Sequence, residues 1–249
     1  MCGRYTLTTP LEGVRQIFDF AERVNLAPRY NISPGQEVPV VLRDDSGRRL
    51  LLSLHWGLIP GWAKDRSIAN HLINARAETL WEKPAFRGAA ARHRCLIPAD
   101  GFYEWRSEAG GKQPYLIAMK EAAVFAFAGL WERWHDRASG AVVESCCIIT
   151  TEASSDLAEI HHRMPVILDG EAHATWLDPD ASRPLLQSLL KPCREGAMSF
   201  RAVSRRLNKV ANDGPDVQLS PEEAGDTQEQ EAADAKKAPP KPPRQGELF

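Results

Sequence analysis

Stretches rich in branched and aromatic residues follow one another along this chain without the regular strand-helix-strand alternation of a parallel sheet, and that pattern constrains the fold most. Strand-like runs cover residues 4–7, 38–42, 49–56, 95–98, 101–106, 115–119, 124–131, 142–150 and 198–203. Helical patterns are few and short, at residues 78–83, 155–160, 170–177 and 183–190, with one more that ends near residue 20. For that first helix, Thr9 is the expected cap, Pro10 takes the first helical position and Glu12 completes a capping box. Asn31-Ile32-Ser33-Pro34-Gly35 reads as a turn, and Asp45-Ser46-Gly47 joins two strands in a hairpin. The expectation is an α+β fold, mainly antiparallel, with a distorted barrel-like core and short flanking helices. It shows no internal repeat at solenoid spacing.

Composition fits one core plus an appendage. The 249 residues are 43% hydrophobic and 26% charged, ordinary for a chain that buries a sizeable core. After about Ser220 the chain turns to Glu, Gln, Ala, Lys and Pro, and no large apolar residue appears between Pro221 and Leu248. Residues 1–221 therefore read as the folded catalytic unit and 222–249 as a disordered acidic, proline-rich tail. The tail holds seven acidic and four basic side chains, so it contributes −3 to a net charge of −2 and leaves the body at +1. A body so nearly neutral does not wrap duplex DNA nonspecifically. Any nucleic-acid contact must come from a local cluster drawn from Arg4, Arg76, Arg87, Arg92, Arg94 and Arg163.

The start, MCGRYTL, lacks the basic segment and long apolar run of a secretory signal, and no stretch resembles a membrane span, so a cytoplasmic protein is expected. Cysteines at 2, 95, 146, 147 and 193 show neither CxxC spacing nor a paired framework. Disulfides, a metal site and a cofactor are accordingly not expected, and the last four cysteines read as packing residues. The adjacent His161 and His162 suggest a metal pair at first sight, but no further ligand cluster completes it.

Cys2 carries distinctive chemistry. A small second residue is the setting in which an initiator methionine is commonly removed, which exposes an α-amine and a thiol on one residue. Such a β-aminothiol condenses with an aldehyde to an imine, and the thiol then closes a thiazolidine ring on the same carbon. Reference values of about 7.7–8.0 for the amine and about 8.5 for the thiol leave both nucleophiles nearly ready at neutral pH. Position alone favours the plainer reading, in which Cys2 is simply a small buried residue.

Several separated motifs bear on that choice: MCGRY, Tyr30-Asn31-Ile32-Ser33-Pro34-Gly35, Trp56-Gly57-Leu58-Ile59-Pro60, Asn74-Ala75-Arg76-Ala77-Glu78, the segment 95–105, and Ile160-His161-His162-Arg163-Met164-Pro165. In this order they resemble the SRAP family of SOS response-associated peptidases, over about residues 2–219. The resemblance implies an α+β fold with a barrel-like core, a processed N-terminal cysteine, and covalent capture of abasic sites in single-stranded DNA. It also implies Cys2 as nucleophile, with Asn74, Glu104 and His161 at the remaining active-site positions. Chemically, Glu104 suits a base that deprotonates the amine. His161, following the helix expected at 155–160, suits an imidazolium acid favoured by the helix dipole. Asn74 offers a donor and an acceptor to orient the sugar or the amine.

Arg4, Arg76 and Arg163, and more weakly Arg87, are the expected phosphate ligands, since a guanidinium fork matches phosphate oxygens. Trp62, in a loop-like stretch, either stacks on a base or fills the core. The tail ends Gln245-Gly246-Glu247-Leu248-Phe249, similar to the short clamp-binding peptide of bacterial replication proteins, although glycine at its second position departs from that pattern. Gln245, Leu248 and Phe249 are thus candidate contacts to the sliding clamp, and the body is expected to act as a monomer. Two other classes remain open: a cysteine peptidase using Cys2 with His161 as base, and a noncatalytic reader of damaged DNA.

Overall fold

The computed structural model describes residues 2–109, 111–121 and 124–226. Its elements are β1 (Tyr5–Leu7), α1 (Leu11–Phe18), β2 (Arg29–Ile32), β3 (Glu37–Arg43), β4 (Arg49–Trp56), β5 (Asn74–Arg76), α2 (Arg87–Arg92), β6 (Arg94–Ala99), β7 (Gly101–Glu108), β8 (Gly111–Met119), β9 (Phe125–His135), β10 (Val142–Glu152), β11 (Arg163–Pro165), β12 (Ile167–Leu168), α3 (Gly170–Leu177), α4 (Arg183–Leu189), β13 (Met198–Ala202) and α5 (Pro221–Ala224). The fold is α+β and mostly antiparallel, as the spacing of apolar runs predicts.

Two sheets form it. One runs β13-β8-β7-β1-β2. The other closes on itself, because β10 pairs with β4 on one side and β9 on the other, making a five-stranded barrel of β10, β4, β3, β6 and β9. Closure leaves these five strands without an open edge, and β5 and β11 add to β10 beyond the barrel. Two pairings are parallel, β10 with β4 and β10 with β5, because β10 returns to neighbours far behind it in the chain.

The core fills the barrel and the seam between the sheets. Phe127 on β9 is fully buried and meets Tyr5 of β1 at 5.7 Å and Phe102 of β7 at 6.1 Å, both edge to face. Gly129, opposite Cys95, permits close packing: an added Cβ would lie 2.8 Å from Cys95 Sγ and 2.9 Å from Ile97 Cδ1.

Several local expectations are overturned. The cap of α1 is Pro10, not Thr9, and no side chain caps the helix. Thr8 and Thr9 instead give their main-chain N–H groups and hydroxyls to the Asp100 carboxylate, an anion that outcompetes the helix end. Residues 155–160 form successive turns rather than a helix, with Leu157 and Ala158 both donating to the Ser154 carbonyl. Residues 78–83 hold one turn of 3-10 helix, Ala77–Thr79, followed by turns. Asn31, expected in a turn, lies in β2, and Asn74 lies in β5; the partners of both strands are supplied from elsewhere in the chain.

Truncating the aromatic that joins the two sheets tests this packing. Phe127→Ala is expected to lower unfolding free energy by about 3–5 kcal/mol in denaturant titration, and a loss under 1 kcal/mol would contradict it.

Candidate active site

The N-terminus reaches the seam because β1 lies between β7 and β2. Tyr5 pairs with Phe102 and Tyr103 N–H donates to the Arg4 carbonyl, so continuing the register sets Gly3 opposite Glu104. Cys2 is fully buried, and its carbonyl accepts a 2.8 Å hydrogen bond from Asn74 Nδ2. Asn74 is held by the parallel pairing of β5 with Ile148 of β10. Its Oδ1 is buried without a partner among the described residues. His161, in the connection between β10 and β11, brings Nδ1 to 4.0 Å from Glu104 Oε1. Cys2, Asn74, Glu104 and His161, spread over 160 positions of sequence, therefore converge.

Burial dominates the electrostatics. Glu104 is 4% exposed, and desolvation raises its carboxyl to about 7. Burial also pushes the Cys2 thiol up, reinforced by the nearby Glu104 charge, so the thiol is not poised near its ordinary value in this state. His161 is pushed down, again by burial. The expectation of a dipole-stabilised imidazolium is thus corrected on two counts: no helix precedes His161, and desolvation favours the neutral ring.

The basic residues divide. Arg163 is 8% exposed, and its guanidinium bonds both oxygens of Glu78, at 2.6 and 3.0 Å, and the Thr150 carbonyl at 2.8 Å. Arg4 bonds Asn31 Oδ1 and the Leu207 carbonyl beneath Trp105. Arg94 is buried and donates to four main-chain carbonyls, including those of Trp176 and Asp178, so it joins helix ends rather than a DNA surface. Arg76 and Arg87 are exposed.

A groove of about 590 Å³ opens beside Asn74, lined among others by Trp62, His71, Arg76, Lys83 and Phe86. Trp62 is 60% exposed on its rim, with Nε1 donating to the Pro84 carbonyl at 3.4 Å, so it is not a core residue. Sequence reasoning missed His71, Lys83 and Phe86, and took Glu78 for the start of a helix. The run Lys83-Pro84-Ala85-Phe86, a cation and an aromatic around a helix-stopping proline, was the available signal. Gln245, Leu248 and Phe249 lie outside the described residues. Among the described residues, no helix is long and apolar enough to cross a membrane.

A buried cysteine at the second position of the chain, with an amide, a carboxyl and an imidazole around it at the seam of a closed barrel and a second sheet, is the site that marks this class of small α+β proteins. The chain belongs to the SOS response associated peptidase (SRAP) family, whose sequence model matches residues 1–210. It is 43% identical over 222 residues to the abasic site processing protein YoaM of Bacillus subtilis, covering 87% of this chain and 97% of that one. It is 33% identical over 258 residues to the abasic site processing protein HMCES of Gallus gallus, covering 91% and 76%. Among solved structures it is similar to a Bacteroides thetaiotaomicron protein, with a TM-score of 0.80 and 31% identity over 88% of this chain and 100% of that one.

The raised carboxyl has a measurable consequence. A folded-state value of about 7, above the usual ~4.3, means that ionising Glu104 costs stability as pH rises between those values. Glu104→Gln escapes that cost, so its stability relative to the parent should improve by on the order of 3 kcal/mol between pH 4 and pH 8. A difference that stays constant across this range would refute a desolvated Glu104.

Proposed function

We propose that this protein processes abasic sites in single-stranded DNA, forming a covalent bond between Cys2, after loss of Met1, and the ring-opened deoxyribose. The observation that carries this reading is the convergence of Asn74, Glu104 and His161 on a buried Cys2, next to an open groove bearing Trp62 and Arg76. The names borne by the similar proteins of Bacillus subtilis and Gallus gallus point the same way.

The steps need only groups this chain supplies. The free amine of Cys2 adds to the C1′ aldehyde and water leaves as the imine forms. The thiol then adds across the C=N bond to close a thiazolidine, so one water is released overall. Glu104, raised towards neutrality by burial, is suited to take a proton from the amine or thiol and return it to the departing oxygen. His161, pushed towards its neutral form with Nδ1 accepting from the Arg163 N–H, offers its Nε2 proton to the sugar oxygen. The unpaired Asn74 Oδ1 is an acceptor for the amine or a sugar hydroxyl.

An abasic nucleotide in a single strand has neither stacking nor pairing to lose, so selection rests on the aldehyde and little sequence preference follows. Arg76 offers its fork to a phosphate, while Trp62 offers an aromatic face to a flanking base. Arg4 and Arg163 already hold internal partners in the DNA-free protein, so a phosphate would compete with those bonds.

Denaturing electrophoresis after mixing with single-stranded DNA bearing one abasic site tests the chemistry. A heat- and detergent-stable adduct is expected from the parent. Cys2→Ala should give none while still binding DNA, and an N-terminal extension that keeps the cysteine acylated should also give none. An adduct from the acylated protein would sink the thiazolidine reading, and peptide cleavage by it would favour a peptidase.

Stacking has its own test. Trp62→Ala should weaken single-strand binding by about 5- to 100-fold, the equivalent of roughly 1–3 kcal/mol per stacked base, without changing the melting temperature of an exposed site. Unchanged affinity would remove Trp62 from the interface.

A further inference from the structure

We propose that Glu78 is a positioning residue: by clamping the Arg163 guanidinium it fixes the main chain that cradles His161, and so governs the protonation of that ring. The inference deepens the proposed function and rests on it for its kinetic consequence, although its first readout needs no DNA.

The geometry begins at the imidazole. His161 Nδ1 accepts from the Arg163 N–H at 3.1 Å and lies 3.0 Å from the Arg163 carbonyl oxygen. One residue's main chain thus offers Nδ1 a donor for the neutral ring and an acceptor for the charged one, while Glu104 Oε1 lies 4.0 Å from the same nitrogen and the His162 ring stacks at 4.5 Å. In the neutral ring the N–H donates to Nδ1, which leaves the proton on Nε2. In the charged ring Nδ1–H donates to the carbonyl. A shift of this short piece of backbone would change both contacts at once.

The pairing of β11 with β10 holds one side of this backbone, and the Arg163 side chain gives it a second anchor. Its Nη1 and Nη2 meet the two oxygens of Glu78 in a fork, and Nη2 also donates to the Thr150 carbonyl on β10. That side chain is only 10% exposed, so the cation has little water to fall back on. Removing its carboxylate partner leaves a charge in a desolvated place, which is strongly unfavourable. The guanidinium then moves towards solvent, and the first residue of β11 moves with it. Glu78 is 44% exposed and is not one of the four converging side chains, so it holds the arrangement without taking part in the bond-making.

An ordinary structural ion pair makes a different prediction, and nitrogen-15 NMR of the histidine side chains in the full chain separates the two. The His161 signals are assigned by their disappearance in His161→Gln. Glu78→Ala should change the Nδ1 and Nε2 shifts of His161 and move its titration midpoint. Glu78→Gln, which keeps one acceptor, should give a smaller change in the same direction. Arg163→Lys, which keeps the charge but loses the fork, should resemble Glu78→Ala.

The pH profile of adduct formation should shift in parallel, with the rate at pH 7 falling about tenfold in Glu78→Ala. His161 shifts and titration that match the parent in Glu78→Ala overturn the proposal, whatever happens to the melting temperature. If Glu78→Ala does not fold, unchanged shifts in Glu78→Gln and Arg163→Lys together overturn it. Perturbed shifts with no adduct from any protein, the parent included, would uphold the positioning role and reject the proposed function instead.

Discussion

The parallel pairing of Ser145 and Cys146 with His55 and Trp56 is short, yet the rest of the molecule hangs on it. It closes the barrel by joining β10 to β4, and so fixes where the remainder of β10 runs. Further along the same strand, residues Ile148, Ile149 and Thr150 pair with β5 and deliver Asn74. The last residues, Thr150 to Glu152, pair with β11 and set the connection that carries His161. One strand thus positions both side chains relative to the N-terminus, which arrives independently on β1. The Asn74 hydrogen bond to the Cys2 carbonyl ties these two routes together.

Burial gives the site its electrostatic character. Cys2, Glu104 and His161 all sit in low-dielectric surroundings, and in each the shift favours the uncharged form. Protons rather than fixed charges are the currency of such a site, which fits imine and ring-opening chemistry. The groove beside it has the opposite character: Trp62 and Arg76 are exposed and able to meet a polyanion. A dry site and a wet groove are adjacent but distinct. Arg163 belongs to the first region and Arg76 to the second, although a single motif-based reading treats them alike.

The sequence reveals much of the framework because strand-forming runs and their turns are local signals. Seven of the long runs, from β3 and β4 through β10, fall where branched and aromatic residues cluster. Elements that failed to show, among them β2, β5, α2, β11, β12 and α5, are short, and the strands draw their stability from distant partners. Asn74 illustrates this: alone it is a turn former, and only Ile148, 74 positions later, makes it a strand residue. The turns at 155–160 illustrate the reverse, since a helical pattern six residues long has little stability of its own and its packing surroundings settle whether it forms.

By itself, then, the sequence determined the residue types able to do the chemistry and the α+β, barrel-like class of the fold, because motif identity and apolar periodicity are written in the order of side chains. Only the tertiary structure decided which cations are spent on internal partners, which acid sits near neutrality, and that His161 is held by the main chain of a residue anchored to Glu78. Those properties depend on desolvation and on contacts between segments far apart in the chain, and neither quantity exists until the chain has folded.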